Sequence, residues 1–220
     1  MRKFLILLMT LEFSIPAGDV SAQHRIGAVG GLSLSKIAVE NADVDFGRRS
    51  GLGVGGIIDL ALGEHVALRL EPMYLQKGVM LDAPVNPYGE VDGELRLSYL
   101  EFPVFIMTSI SDAIVRLYVL FGPTFGFLLS SRVEGTAGDQ AVDEDVGEVT
   151  SNLDVGLGFG GGVNFLLGDY SLFVEGRYVA GLKDILDDGR IEIAGEDEVV
   201  YGDVSTSVIQ FMAGITIPIL

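Results

Sequence analysis

Three features of the sequence predict an all-β fold, specifically an eight-stranded antiparallel up-and-down transmembrane β-barrel. Apolar residues recur at every second position through eight segments, the connections between segments alternate short and long, and an export leader opens the chain. The clearest segment is Asn152 to Leu167, NLDVGLGFGGGVNFLL. Its odd positions (Leu153, Val155, Leu157, Phe159, Gly161, Val163, Phe165, Leu167) are apolar or glycyl, whereas Asp154, Gly156, Gly158, Gly160, Gly162 and Asn164 are small or polar. A repeat of two is a strand. Strands of soluble sheets are usually about 5 to 6 residues long, whereas one crossing a bilayer at a tilt needs about 9 to 11. A long strand with one broad greasy face and one small polar face fits a barrel whose apolar side meets lipid.

Composition agrees with such segregation. Hydrophobic residues make up 49% of a chain that also carries 31 acidic residues and a net charge of -17, so the two kinds must lie in different places. With only 14 Lys and Arg, mostly scattered, the chain lacks the basic patch that nucleic-acid phosphates require. It contains no cysteine, which rules out a disulfide framework, a thiolate nucleophile and cysteine-ligated metal.

Residues 1–22 read as a secretory signal peptide: Arg2 and Lys3, the apolar run Phe4 to Met9, and Val20-Ser21-Ala22 before the expected cleavage. Residues 23–220 are then one outer-membrane barrel domain. Its alternating segments fall near 24–35, 51–62, 66–77, 95–109, 114–131, 152–167, 170–182 and 204–219. Residues 62–65, 110–113 and 168–169 are tight turns, whereas 36–50, 78–94, 132–151 and 183–203 are long connections. Short periplasmic turns opposite long external loops put both termini in the periplasm, and an even number of strands closes without an edge.

Side-chain phase then assigns the interior. Val66, Leu68, Leu70, Pro72 and Tyr74 share one face of the third segment, with Arg69, Glu71 and Lys77 on the other. In the seventh, Leu172, Val174, Gly176, Tyr178 and Ala180 oppose Glu175 and Arg177. The fourth turns Leu100, Phe102, Val104 and Ile106 outward and Tyr99, Glu101, Pro103 and Phe105 inward, and the last turns Ile209 to Ile219 outward at alternate positions. A barrel of eight strands has room only for side chains inside. Arg69, Glu71, Glu101, Asp154, Glu175 and Arg177 are therefore expected to pair as a structural polar cluster, with the glycines of 152–167 making space for long side chains opposite. Aromatic anchors at the interfaces are Tyr74, Tyr118, Tyr170, Tyr178, Phe165 and Phe211.

Several motifs lose their functional meaning in this setting. Gly156 to Gly161 and Gly51 to Gly56 both satisfy G-x-G-x-x-G, but strand alternation follows each where a dinucleotide site needs a helix N-terminus. Asp184 to Gly195 matches a calcium loop only at Asp184, Asp188, Gly189 and Glu192. The two histidines, His24 and His65, lie at the turn end, so a serine nucleophile on the external face has no base. The sequence assigns no catalytic, cofactor or metal residue. Most acidic residues crowd the four long connections and make a solvated acidic rim.

Tyr99-Leu100-Glu101-Phe102-Pro103-Val104, followed by the strand Leu117 to Leu129, resembles the PorT-like outer-membrane barrels of Bacteroidetes, within the outer membrane protein beta-barrel domain family. Gly27 to Ser35 and Pro72 to Gly78 are similar to the family's first and third strands. The resemblance implies the barrel fold and an outer-membrane location, and it brings no catalytic residues. The expected function is a non-enzymatic barrel, with outer-membrane lipids around it and an extracellular or envelope protein as a possible partner. Two other readings compete: a soluble exported carrier of a small apolar ligand, lipocalin-like, which needs greasy residues inward, and an enzyme acting on outer-leaflet lipid.

Overall fold

The computed structural model describes residues 23–39, 47–85, 89–110, 114–137, 140–145, 152–182, 190–191, 199–200 and 204–219. The leader, most of the acidic residues of the long connections and the calcium-loop match lie outside them. The strands are β1 (Arg25–Val39), β2 (Gly47–Ala61), β3 (Val66–Leu70), β4 (Met73–Val85), β5 (Gly89–Ser109), β6 (Val115–Ala137), β7 (Gln140–Asp145), β8 (Leu153–Leu167), β9 (Tyr170–Gly181), β10 (Arg190–Ile191), β11 (Val199–Val200) and β12 (Val204–Pro218).

Antiparallel pairing runs in chain order from β1 to β2, to β3 and β4, then β5, β6, β8, β9 and β12. It closes where β12 pairs β1 along their whole lengths, Arg25 opposite Pro218 and Val39 opposite Val204. Closure leaves the sheet's long strands no unpaired edge, the condition for a β-structure in hydrocarbon. Beyond the ring, β7 folds back on the end of β6, and β10 pairs β11.

β3 and β4 are one line of chain interrupted at Glu71-Pro72, because proline has no N–H for the ladder. The register does not change across the gap: Leu70 lies opposite Ile58 and Val104, and Met73 opposite Gly55 and Glu101. Gly56 N–H to the Pro72 carbonyl (3.0 Å) and Glu71 N–H to the Pro103 carbonyl (3.1 Å) stitch it on both sides.

The connections expected at 36–50, 78–94 and 132–151 are largely strand. β4 and β5 stay paired as far as Val85 and Gly89, and β6 pairs β7 from Ala137 to Arg132. The hydrophobic alternation ends before the backbone ladder does, since two strands can go on exchanging hydrogen bonds where both faces meet water. At the opposite end the β2–β3 and β8–β9 turns are tight, and Gly168 supplies the left-handed φ of 64° that the short β8–β9 turn requires.

The two phases separate as the alternation requires. Leu52, Val54, Val119, Phe121, Phe159, Val174 and Phe211 face outward with half or more of their surface exposed, an arrangement that water would oppose and hydrocarbon favours. Inside lie Val29, Ile57, Met73, Leu75, Phe105, Phe173 and Met212 together with buried Arg69, Glu71, Lys77, Glu101, Glu175 and Arg177. Glycines of β8 make room for this filling. A Cβ on Gly158 would meet the Phe105 ring at 2.8 Å, and one on Gly162 would meet the Tyr118 ring and hydroxyl at 2.5 Å. Tyr118, expected at the membrane interface, instead points inward and is 3% exposed, since it shares its phase with Leu120 and Thr124 while Leu117, Val119 and Phe121 take the lipid side.

Candidate functional site

The interior charges form two groups, each built from strands that the ring brings together across the lumen. In the group nearer the tight turns, Arg69 of β3 grips Asp59 of β2 with two parallel bonds, Nε to Oδ1 at 2.7 Å and Nη2 to Oδ2 at 3.0 Å. Its third nitrogen donates across the barrel to Glu175 Oε2 of β9 at 3.1 Å, and the Tyr118 hydroxyl donates to the same oxygen at 2.9 Å. Arg177, two residues along β9, donates to Glu71 Oε2 at 2.5 Å and to Gln210 Oε1 at 2.6 Å. The planar fork of arginine suits such bridging, because its donors diverge in a fixed geometry.

The second group lies toward the long connections. Lys77 Nζ donates to Glu101 Oε1 at 3.0 Å and to Asp154 Oδ2 at 2.9 Å. All six residues of the expected cluster are therefore in these two groups. Arg69, Glu71, Glu175 and Arg177 share the first, while Glu101 and Asp154 meet only through Lys77. Each cation also stands over an aromatic ring: Arg69 over Phe173 at 5.0 Å and Tyr118 at 5.5 Å, Lys77 over Tyr99 at 5.1 Å, Arg177 over Phe105 at 5.4 Å. Inward aromatics thus act as second partners to the cations.

The count of charges is uneven. Three carboxylates surround two guanidiniums in one group, and two surround one ammonium in the other. Glu71 Oε1 and Glu175 Oε1 accept no hydrogen bond, yet lie 3.8 Å and 3.3 Å from guanidinium nitrogens. Attraction at those distances is electrostatic without bond geometry. Side chains at these levels are almost wholly shielded from solvent, with Arg69, Tyr99, Lys77, Phe105 and Gln210 among the largest, so the lumen is filled.

The sequence matches the family described as outer membrane protein beta-barrel domain over residues 19–187. The chain belongs to that family. Among solved structures, the barrel is similar to the outer membrane protein OprG from Pseudomonas aeruginosa, at 11% identity and a TM-score of 0.52, covering 91% of this chain and 97% of that one. It also matches Ail, the attachment invasion locus protein of Yersinia pestis (13% identity, TM-score 0.40, 88% and 99% covered), and Neisserial surface protein A (12%, 0.42, 89% and 97%). At these identities the likeness to OprG concerns the fold. No protein of curated function matches the sequence.

An antiparallel outer-membrane β-barrel of the up-and-down kind is thus established, and with it the direction of the greasy face. A lipocalin-like carrier would need the reverse phase. In this outer-membrane barrel both histidines sit at the turn end: His24 Nδ1 accepts the Ala61 N–H at 3.2 Å, and His65 lies in the β2–β3 turn. A cavity of about 300 Å³ opens there, lined by Arg25, Asp59, His65, Met107, Arg116 and Asn164 among others. Among the described residues no group of three or more His, Cys, Asp or Glu could hold a metal ion. Both G-x-G-x-x-G runs lie inside strands, β2 and β8.

Sequence reasoning missed Asp59, Tyr118 and Gln210 and left Lys77 out of the cluster. For two of these the signal was strand phase. Asp59 continues the inward series Gly51, Gly53, Gly55, Ile57, and Lys77 the series Arg69, Glu71, Met73, Leu75.

Proposed function

We propose that this chain is a non-enzymatic, PorT-like outer-membrane barrel of eight staves, with β3 and β4 counting as one, released from a signal peptide at residues 1–22. The termini and tight turns face the periplasm, and the long connections with their acidic residues face outward. A lumen packed with ion pairs and aromatic rings suits a membrane-held scaffold better than a pore, and its surface loops would meet an extracellular or envelope protein partner.

The observation that carries this reading is the inversion of phase around a closed ring: half-exposed apolar side chains outside, and Arg69, Lys77 and Arg177 buried and paired inside. Recovery in the outer-membrane fraction and heat-modifiable migration in detergent gels are the expected results. A water-soluble periplasmic monomer would refute it. The non-enzymatic part is tested separately by comparing the outer-leaflet lipids of a deletion strain with those of its parent, where no change is expected.

A further inference from the structure

The chain is fastened down almost to its proposed point of cleavage. His24, the residue before β1, is held from both sides: its carbonyl accepts the Ile219 N–H at 2.7 Å, and its Nδ1 accepts the Ala61 N–H at 3.2 Å. Arg25 follows as the first rung of the ladder, opposite Pro218 on one side and Asp59 on the other. Gln23 is the first residue outside these ties. Its side chain is exposed and makes no hydrogen bond among the described residues. It lines the cavity of about 300 Å³ at the tight-turn end, in company with Ala61, Ala67, Met107, Ser109 and Asn164.

Cleavage after Ala22 makes Gln23 the N-terminal residue. The new α-amine and the Cδ of the same residue are then the two ends of a five-membered ring, and closure is favoured because both reactants are already held together. An α-amine is partly neutral, and so nucleophilic, near neutral pH. Its nitrogen bonds to Cδ, the Cδ–Nε2 bond breaks, and Nε2 leaves as ammonia, taking the proton that the amine gives up. No oxidant, reductant or second substrate enters the balance. A glutamine tied into the sheet could not turn back on its own amine; Gln23 is free to do so.

We infer that the mature chain begins with a pyroglutamyl residue, formed from Gln23 by loss of ammonia and seated in the cavity at the tight-turn end. The inference rests on the leader cleavage proposed above. Ring closure exchanges a charged, freely rotating terminus for a neutral, compact lactam. Such a ring can lie against Ala61, Ala67 and Met107, where an ammonium would first have to lose its water. Its amide keeps one donor and one acceptor for the polar part of the lining. The tethers on His24 then hold the lactam in place from the next residue.

The test takes the protein from freshly prepared outer membranes in detergent, without refolding. Its intact mass should be that of residues 23–220 less one ammonia. Edman degradation should release nothing until pyroglutamate aminopeptidase has acted, after which His24 is read first. The Q23A variant keeps its amine and should be read from its own first residue without that enzyme. On wild-type protein, the enzyme should act about tenfold or more slowly on the folded barrel than on the heat-unfolded chain, because His24 must come free first. A chain that starts at Gln23 with its full mass and an open amine would overturn the inference. So would an ammonia loss that is absent from fresh membranes and accumulates only on storage. Equal trimming of folded and unfolded protein would overturn the seating in the cavity. A chain beginning at any other residue would instead refute the leader cleavage beneath it.

Discussion

Arg177 holds two carboxylates, Glu71 and Glu175, in an interior that solvent does not reach. Removing it takes the hydrogen-bonded cation from Glu71 and leaves Arg69 alone to face three buried carboxylates, and breaking one partner out of a buried pair costs about 3 to 5 kcal/mol. Arg177→Ala is expected to lower unfolding stability in lipid or detergent by that order, and Glu71→Gln in the same chain should restore part of it, giving a coupling energy of about 0.5 to 3 kcal/mol in a double-mutant cycle. Additive losses would mean that the two residues do not act as a pair. Gly162 is constrained from the other side: a methyl there would collide with the Tyr118 ring and the Val174 carbonyl, each 2.5 Å from the added carbon. Gly162→Ala should therefore cost about 1 to 3 kcal/mol by overpacking, measured by urea titration of the folded barrel. Whether a charge points inward was legible from phase alone, since Arg69, Glu71, Glu175 and Arg177 sit on the alternation that opposes the leucines. Which charge meets which was not. Arg69 reaches Glu175 across 106 positions of sequence, a pairing set by the closure of the ring and invisible in any one strand. Tyr118 was misplaced because an aromatic ring suits both an interface and a lumen cation, and composition does not distinguish them.

At the scale of the strand, a greasy face turned to hydrocarbon makes a specific demand. Phe159 is 56% exposed near the middle of β8, with the tilted ring of Tyr178 from β9 beside it at 5.5 Å. Arginine at a lipid-facing position near the bilayer midplane costs roughly 2 to 4 kcal/mol, and less toward either interface. Phe159→Arg is expected to fall in that range, and the same change at Leu167, beside the β8–β9 turn, should cost about 1 kcal/mol or less. Equal losses at the two positions would argue against a bilayer around β8. Strand existence was readable because a period of two over such a length has no other explanation. Strand ends were not, for the hydrophobic pattern records where hydrocarbon stops and the backbone ladder continues past it, as β4 and β5 do to Val85 and Gly89. Pro72 is the converse case: it removes a donor and interrupts the strand without moving the register on either side.

For the molecule as a whole, the question is what a closed ring with so full an interior can pass. Arg69, Glu71, Lys77, Tyr99, Phe105 and Glu101 are all buried to within 2% of complete, and the cations among them are tied to strands on opposite walls. An ion crossing the barrel would have to displace these side chains and break charge-assisted bonds in a region of low dielectric, where each is strong. The wild-type barrel in a planar bilayer is therefore expected to give no steady conductance above the lipid baseline. The surplus of carboxylates makes a sharper case. Lys77 and Tyr99 fill a level toward the long connections, with buried Val79 and Leu97 beyond them, and replacing both with alanine would leave Glu101 and Asp154 facing a new void without their cation. If water enters that void, it should admit cations in preference to anions, because the remaining fixed charge is negative. Lys77→Ala/Tyr99→Ala, checked for folding by heat-modifiable migration, is then expected to give brief cation-selective openings under a potassium chloride gradient. A folded double variant that stays silent would locate the barrier at another level, at Arg69 and Arg177 or at Val79 and Leu97. Steady conductance in the wild type would show that the interior pairs open as a unit.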